Sequence, residues 1–375
     1  MIYLDNAATT RVCPEAAQAA MRCMTEDFGN PSSTHAPGRA ARTALKEARA
    51  VVAASLGAVP EEICFTAGGT EGDNWAIRSG CRLMRHHGRH IISSAAEHDA
   101  VLKTLARMES DGWSVTRLMP RPDGTIAPED VTAALREDTV LVSLMLVNNE
   151  TGAVTDIAGI SKAVKAAGSS ALLHTDAVQG YLKVPFSAKE LGADLITLSG
   201  HKIHAPKGIG ALYIRRGVKL PPLLFGGGQE DGRRSGTENL PGICAMAAAV
   251  NAALADPEAR ERMSSLRQLA VDTLKSALPA VTVIGGGAPH ILCLSLPGYR
   301  SEVLLNLLDA EGICVSKGSA CKRGARSHVL EAMGLPPRVI DGSIRVSLSR
   351  LTTEADIDGF CAELLRARDG LFKSL

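Results

Sequence analysis

The chain has 375 residues, 45% of them hydrophobic and only 3% aromatic, with a formal net charge of +1. At about 150 residues per domain that length predicts two domains, with room for a third. The near-neutral balance gives no reason to expect nucleic acid or an anionic membrane as a partner. The nine cysteines are odd in number and include no Cys-x-x-Cys pair, so neither a disulfide framework nor a zinc site is expected.

The opening Met1-Ile2-Tyr3-Leu4-Asp5 lacks the basic and apolar regions of a signal peptide. The longest apolar stretch, 243–255, falls short of the about 20 residues that a bilayer requires. The expectation is a soluble, cytoplasmic protein. Strand-like and helix-like segments then alternate. Residues 63–66 read as a strand and 70–80 as a helix. Further strands are predicted at 90–93, 115–118, 140–144, 171–174, 195–198 and 210–214, with helical stretches such as 157–167 between several of them. This alternation predicts an α/β fold with a large, mostly parallel sheet covered on both faces. From about 256 a charged helix (257–276) leads into strands at 283–284, 290–296 and 343–348 and a glycine-ended helix at 302–312. This part reads as a smaller α+β domain. The boundaries expected are 15–255 for the large domain, with 1–14 and 256–375 forming the small one.

Sheets of this kind place ligands beyond the carboxyl ends of their strands. After 63–66 comes Ala67-Gly68-Gly69-Thr70-Glu71, where glycines let backbone amides approach an anion at a helix N-terminus. A glycine turn with a Thr cap accounts for the same residues. After 171–174 comes Asp176, which can cap a helix or hold a protonated heterocycle nitrogen. After 195–198 comes Ser199-Gly200-His201-Lys202. A lysine partly desolvated at a strand end can form a Schiff base with a carbonyl. Lys207 is its rival, but it lies farther from the strand end and directly precedes glycine. An anion cup, a carboxylate and a lysine together are what pyridoxal phosphate requires. Asn149 and Gln179 can reach the ring oxygen, and His98 can lie against the ring, although a lone histidine is ordinarily a core or capping residue.

Tyr3-Leu4-Asp5-Asn6-Ala7-Ala8-Thr9-Thr10, Gly29-Asn30-Pro31-Ser32-Ser33, Asn148-Asn149-Glu150-Thr151-Gly152, His174-Thr175-Asp176-Ala177-Val178-Gln179, Ser199-Gly200-His201-Lys202 and Arg234-Ser235-Gly236-Thr237-Glu238-Asn239 form an ordered set of motifs. With them the chain closely resembles the cysteine desulfurases of the NifS/IscS type, in the class V aminotransferase group, from residue 3 to about 353. The resemblance implies the aspartate-aminotransferase fold (fold type I), a homodimer, L-cysteine as substrate and a sulfur-acceptor or scaffold protein as partner. It implies Lys202 as the residue joined to the cofactor aldehyde, Asp176 at the pyridine nitrogen, His98 stacked on the ring, and Asn149 and Gln179 at its oxygen. Gly69, Thr70, Ser199 and His201 would bind the phosphate, with Thr237 supplied by the other subunit. Arg345 matches the arginine that grips the substrate carboxylate, and Asn30 and Asn149 complete the substrate contacts.

Gly318-Ser319-Ala320-Cys321 matches the loop that carries the family nucleophile. Lys322, Arg323 and Arg326 follow it, and nearby cations favour the reactive thiolate. Cys314, in an apolar run, reads as core. The implied reaction is removal of the α-proton by Lys202, with His98 able to assist later transfers. Cys321 then attacks the substrate sulfur, leaving a persulfide and alanine. After Cys321 the loop is shorter and more basic than the Ser/Thr/Gly-rich stretch of many relatives, so the acceptor stays open between iron–sulfur assembly, tRNA thiolation and cofactor synthesis. A selenocysteine lyase, or another class V aminotransferase or lyase, would share Lys202 and Asp176 without needing Cys321. A non-enzymatic scaffold would be expected to have lost one of the former two.

Overall fold

The computed structural model describes residues 1–317 and 326–369. Its strands are, in chain order, Ile2–Tyr3 (β1), Ile63–Thr66 (β2), His90–Ser94 (β3), Ser114–Leu118 (β4), Thr139–Met145 (β5), Leu172–Asp176 (β6), Leu195–Ser199 (β7), Gly210–Ile214 (β8), Thr282–Ile284 (β9), Ile291–Ser295 (β10), Ile313–Cys314 (β11) and Ser343–Ser347 (β12). A seven-stranded sheet runs β2-β8-β7-β6-β5-β3-β4. Strands β4, β3, β5, β6 and β7 are parallel neighbours, and β8 is antiparallel to both β7 and β2. The chain therefore belongs to the α/β class, as its alternating segments predict.

Every residue of β2, β3, β5, β6, β7 and β8 is buried, which is why these strands read as continuous runs rather than as an alternation of apolar and polar positions. Successive side chains still point to opposite faces. Ile92 packs with Leu45, Val52, Ile243 and Met246, contributed by helices Ala36–Ser55 and Leu240–Leu254. Its neighbour Ile91 packs with Ile77, Val101 and Leu105, from helices Gly69–Met84 and Asp99–Ser110. Helices thus cover both faces, and the strand order reverses between β3 and β5. The crevice beyond the carboxyl ends at that reversal is where such sheets bind ligands.

A second, antiparallel sheet runs β12-β10-β9. Leu292, Leu294, Ile344 and Val346 from it pack with Leu274 and Phe360 of helices Ala259–Ala277 and Glu354–Asp369. The N-terminal segment ties this sheet to the first. β1 pairs with β11. The amide of Asn6 then donates to the Ser347 carbonyl at 3.3 Å, and that of Thr10 to the His201 carbonyl at 2.9 Å, just past β7. Cys314, expected in the core, is only half-buried, because β11 is a two-residue strand paired on one side by the equally short β1. No single described helix is long and apolar enough to cross a membrane.

Phe360 is fully buried in the smaller cluster. Phe360→Ala is expected to cost about 3–5 kcal/mol of stability, read from urea unfolding. A loss below about 1 kcal/mol would contradict this packing.

Candidate active site

A cavity of ≈ 380 Å³ opens at the carboxyl ends of β5, β6 and β7. Gly69, Thr70, His98, Asn149, Asp176, Gln179, Ser199, His201, Lys202 and Arg345 all line it. Residues far apart in the chain meet here because parallel strands end on one edge of the sheet, and each is followed at once by a turn or helix carrying the side chain.

Lys202 closes the short helical turn Gly200–Lys202 that follows β7. Its Nζ donates to the carbonyls of Ala7 and Ala8, both at 2.6 Å. Burial, reinforced by Arg345, pushes its ammonium down to about 8, against the pull of Asp5 and Asp176. Asp176 ends β6, fully within the protein, and accepts from the Val178 amide at 2.9 Å. Burial pushes its carboxyl up, while His98 and Lys202 pull it down.

Two further buried acids, Asp73 and Glu97, lie close by. Burial and the charge of Asp176 hold Asp73 well above the usual carboxylate range. Burial pushes Glu97 up to about 8, although it accepts from the Ser94 hydroxyl at 2.9 Å and the Met145 amide at 3.1 Å. Of the three, Asp176 is the one whose carboxyl His98 and Lys202 pull down against its burial. His174 sits between Ser143 Oγ at 2.8 Å and Thr197 Oγ1 at 3.0 Å, and burial, pushing it to about 3, keeps its ring neutral.

His98 is a capping residue that also reaches the cavity. At the start of helix Asp99–Ser110 its Nδ1 accepts from the Ala100 amide at 3.1 Å. Arg345 is buried and held at both ends. It donates from Nη1 to the Asn149 carbonyl and from Nη2 to Asp5 Oδ1, each at 2.8 Å. Gln179 Nε2 donates to the Ala7 carbonyl at 2.9 Å. The amide oxygens of Asn149 and Gln179 are buried without a partner among the described residues.

At the other end of the cavity, Gly69 opens a 16-residue helix. A Cβ there would lie 2.8 Å from Val178 Cγ2, so glycine is what lets the turn close. The N-cap is Gly68, with Thr70 inside the first turn. The first amides of a helix have no intrahelical partner and favour an anion. His201, bonded through Nδ1 to Thr9 Oγ1 at 3.2 Å, is pushed to about 4 by burial and then by Lys202.

Asn30 and Thr237 do not line this cavity. Both are exposed, and Asn30 Oδ1 accepts from the Ser32 amide at 2.9 Å. The rival Lys207 is exposed and faces a neighbouring cleft instead. Cys321 lies outside the described residues. The residues that flank its segment are held against the cavity. Ser316 pairs with Arg345, Ser327 donates to Glu150, and His328 Nε2 meets the Glu97 carbonyl at 3.0 Å. Sequence reading missed Asp73, Glu97, Glu150, His328 and the Ala7 and Ala8 carbonyls. For Asp73 a signal existed, since it stands four residues after Gly69 and so on the same helix face.

The class-V aminotransferase family model matches residues 2–360. The chain belongs to that family. The cysteine desulfurase of Trichormus azollae is 47% identical over 364 residues, which cover 96% of this chain and 90% of that protein. The cysteine desulfurase IscS of Methanosarcina thermophila is 43% identical over 363 residues, 95% of this chain and 89% of that one. Among solved structures, a NifS-like protein superposes with a TM-score of 0.93 at 37% identity, covering 99% of this chain and 100% of the other. The structure of SspA in complex with cysteine gives 0.83 at 30% identity, covering 94% and 100%. The family resemblance read from the motifs is thereby borne out.

The raised pKa of Glu97 has a consequence for stability. Its folded value, about 8, lies above the ordinary 4.5, so the folded state holds a proton that the unfolded state releases between them. That contribution is complete below the lower value and is lost as pH rises to the upper one. Glu97→Gln, which cannot ionise, is expected to flatten the fall in urea midpoint between pH 5 and pH 8.5. A fall as steep as in the parent protein would contradict a neutral Glu97.

Proposed function

We propose that this chain is a pyridoxal-phosphate-dependent cysteine desulfurase, converting L-cysteine to L-alanine and moving the sulfur onto Cys321. The observation that carries this reading is the meeting of Lys202, Asp176 and Arg345 in one cavity. The relatives named cysteine desulfurase support it.

The residues present fit the cofactor. Asn149 and Gln179 bring buried amides with unused hydrogen-bonding capacity to the cavity, and the start of helix Gly69–Met84 offers free amides to an anion. Gly69, Thr70, Ser199 and His201 would hold the phosphate, Asp176 the pyridine nitrogen, Asn149 and Gln179 the ring oxygen, and His98 a ring face. When bound, pyridoxal phosphate supplies an electron sink that lets a proton leave the α-carbon of an amino acid.

The remaining work falls to the chain's own groups. Arg345, already oriented by Asp5 and Asn149, would grip the substrate carboxylate. The Lys202 amine, with a pKa of about 8, is partly unprotonated near neutrality and can take the α-proton. The Cys321 thiolate attacks the substrate sulfur. The carbon–sulfur bond breaks, its electron pair stays with the carbon, and that carbon takes a proton to become the methyl group of alanine. Cys321 keeps the sulfur as a persulfide for an acceptor protein. Lys322, Arg323 and Arg326 would suit an acidic acceptor, in iron–sulfur assembly or in thiolation of tRNA or cofactors. We place the enzyme in the cytoplasm as a homodimer in which exposed Thr237 reaches the partner's phosphate site.

Cys321→Ser is expected to abolish alanine release from cysteine while bound cofactor absorbance persists. Undiminished turnover would favour a lyase without persulfide chemistry. Arg345→Lys is expected to raise KM about 10- to 100-fold, as for losing a charged hydrogen bond worth roughly 1.5–3 kcal/mol. An unchanged KM would remove Arg345 from the substrate site.

A further inference from the structure

The helix that opens at Gly69 carries a negative charge close to where an anion would be held. Glu71 stands in its first turn. It is the one carboxylate among the described residues lining the cleft beside the first cavity. Cleft and cavity share Ala8, Gly69, Thr70, Ser199 and His201, so Glu71 lies at the end proposed for the phosphate. The amides of Gly69 and Thr70 have no acceptor among the described residues, which leaves them free for an anion. An unpaired carboxylate beside them would compete for those amides and repel a phosphate.

Arg234 answers that charge. Its Nε donates to Glu71 Oε1 at 2.9 Å and its Nη2 to Oε2 at 3.1 Å, a two-pronged pair. The Ala67 amide also donates to Oε2, at 3.0 Å. Both carboxylate oxygens are therefore engaged by Arg234 and Ala67 and not by Gly69 or Thr70. The two side chains are only 15% and 21% exposed, so solvent ions screen the pair weakly. Arg234 is itself fixed by the turn that precedes it. Buried Glu230 accepts from Arg49 Nη1 and Nη2, both at 2.6 Å, and from the Phe65 amide at 3.0 Å. Glu230 and Asp231 hold left-handed backbone at φ 51° and 55°. Such strain in non-glycine residues persists where the surroundings over-determine it, and it collects at functional sites. Arg233 then donates to the Glu61 carbonyl at 2.7 Å, and Arg234 follows directly.

We propose that Arg234 is a positioning residue for the cofactor phosphate. By pairing with Glu71 it cancels the negative charge at the start of the helix and keeps the Gly69 and Thr70 amides open to a dianion. The inference rests on the reading that those two amides hold a phosphate. It needs no particular reaction at Lys202.

The test is to titrate the cofactor-free, full-length chain with pyridoxal phosphate and, in parallel, with pyridoxal, which lacks the phosphate. Binding is read from the visible absorbance that forms as the aldehyde joins a lysine. Arg234→Met is expected to weaken pyridoxal phosphate by about tenfold and to leave pyridoxal unchanged. Glu71→Gln keeps an oxygen for the Ala67 amide and should tighten pyridoxal phosphate. Combining Glu71→Gln with Arg234→Met should return the affinity close to that of the parent, because no charge is left to cancel. Parent-like affinity in Arg234→Met, or an equal loss for pyridoxal, would overturn the proposal. So would weaker phosphate binding in Glu71→Gln, or a double variant as weak as Arg234→Met, which would make the pair a plain structural strut. Equal affinity of the parent chain for both aldehydes would instead remove the phosphate reading, and the proposal with it.

Discussion

A buried acid and a half-buried amine at the ends of adjacent parallel strands set the design of this protein. Strands β6 and β7 pair so that Asp176 stands opposite Thr197, and the chain continues through Ser199 before it turns. Gly200 makes that turn, where a Cβ would come within 2.8 Å of Ile209 Cγ2. The turn returns Lys202 toward Asp176. Neither charge is cheap in this setting. Each shifts the other toward its ionised form, and the surrounding acids give way. Burial drives Asp73 and Glu97 toward neutrality, and the charge of Asp176 adds to that push on both.

The N-terminal segment makes this arrangement depend on the whole chain. It starts beside β11, passes β12, and ends against the turn after β7. On the way the Ala7 carbonyl accepts from both Lys202 and Gln179, and Asp5 holds Arg345. The groups that would meet the cofactor and those that would meet the substrate are thus braced by the same few residues. A change in how the second sheet sits would be felt at Lys202 through Ala7 and Ala8.

Much of this was legible in the sequence because each strand carries its functional residue just beyond its end. The apolar runs at 195–198 and 171–174 placed Lys202 and Asp176 just past strand ends, beside the alternatives of Lys207 and a helix cap, and the strands Leu195–Ser199 and Leu172–Asp176 end within two residues of those bounds. The family motifs then named Arg345, which on its own reads as a surface arginine on a strand. What local patterns concealed were relationships created by folding. Lys183 looks like any lysine before a Val-Pro pair until its burial is known. Glu97 looks like a helix-start acid, and its proton depends on strands β3 and β5 closing around it. Ala7 and Ala8 act through their carbonyls, which side-chain chemistry cannot announce. His98 was read both as a cap and as a site residue; it caps helix Asp99–Ser110 and lines the cavity.

The most direct measurement is borohydride reduction of the holoenzyme followed by proteolysis and peptide mass mapping. The pyridoxyl mass is expected on Lys202, the amine that the sheet directs at Asp176. Recovery of that mass on Lys183 or Lys207 instead, or on no lysine at all, would contradict the convergence from which the proposed chemistry is built.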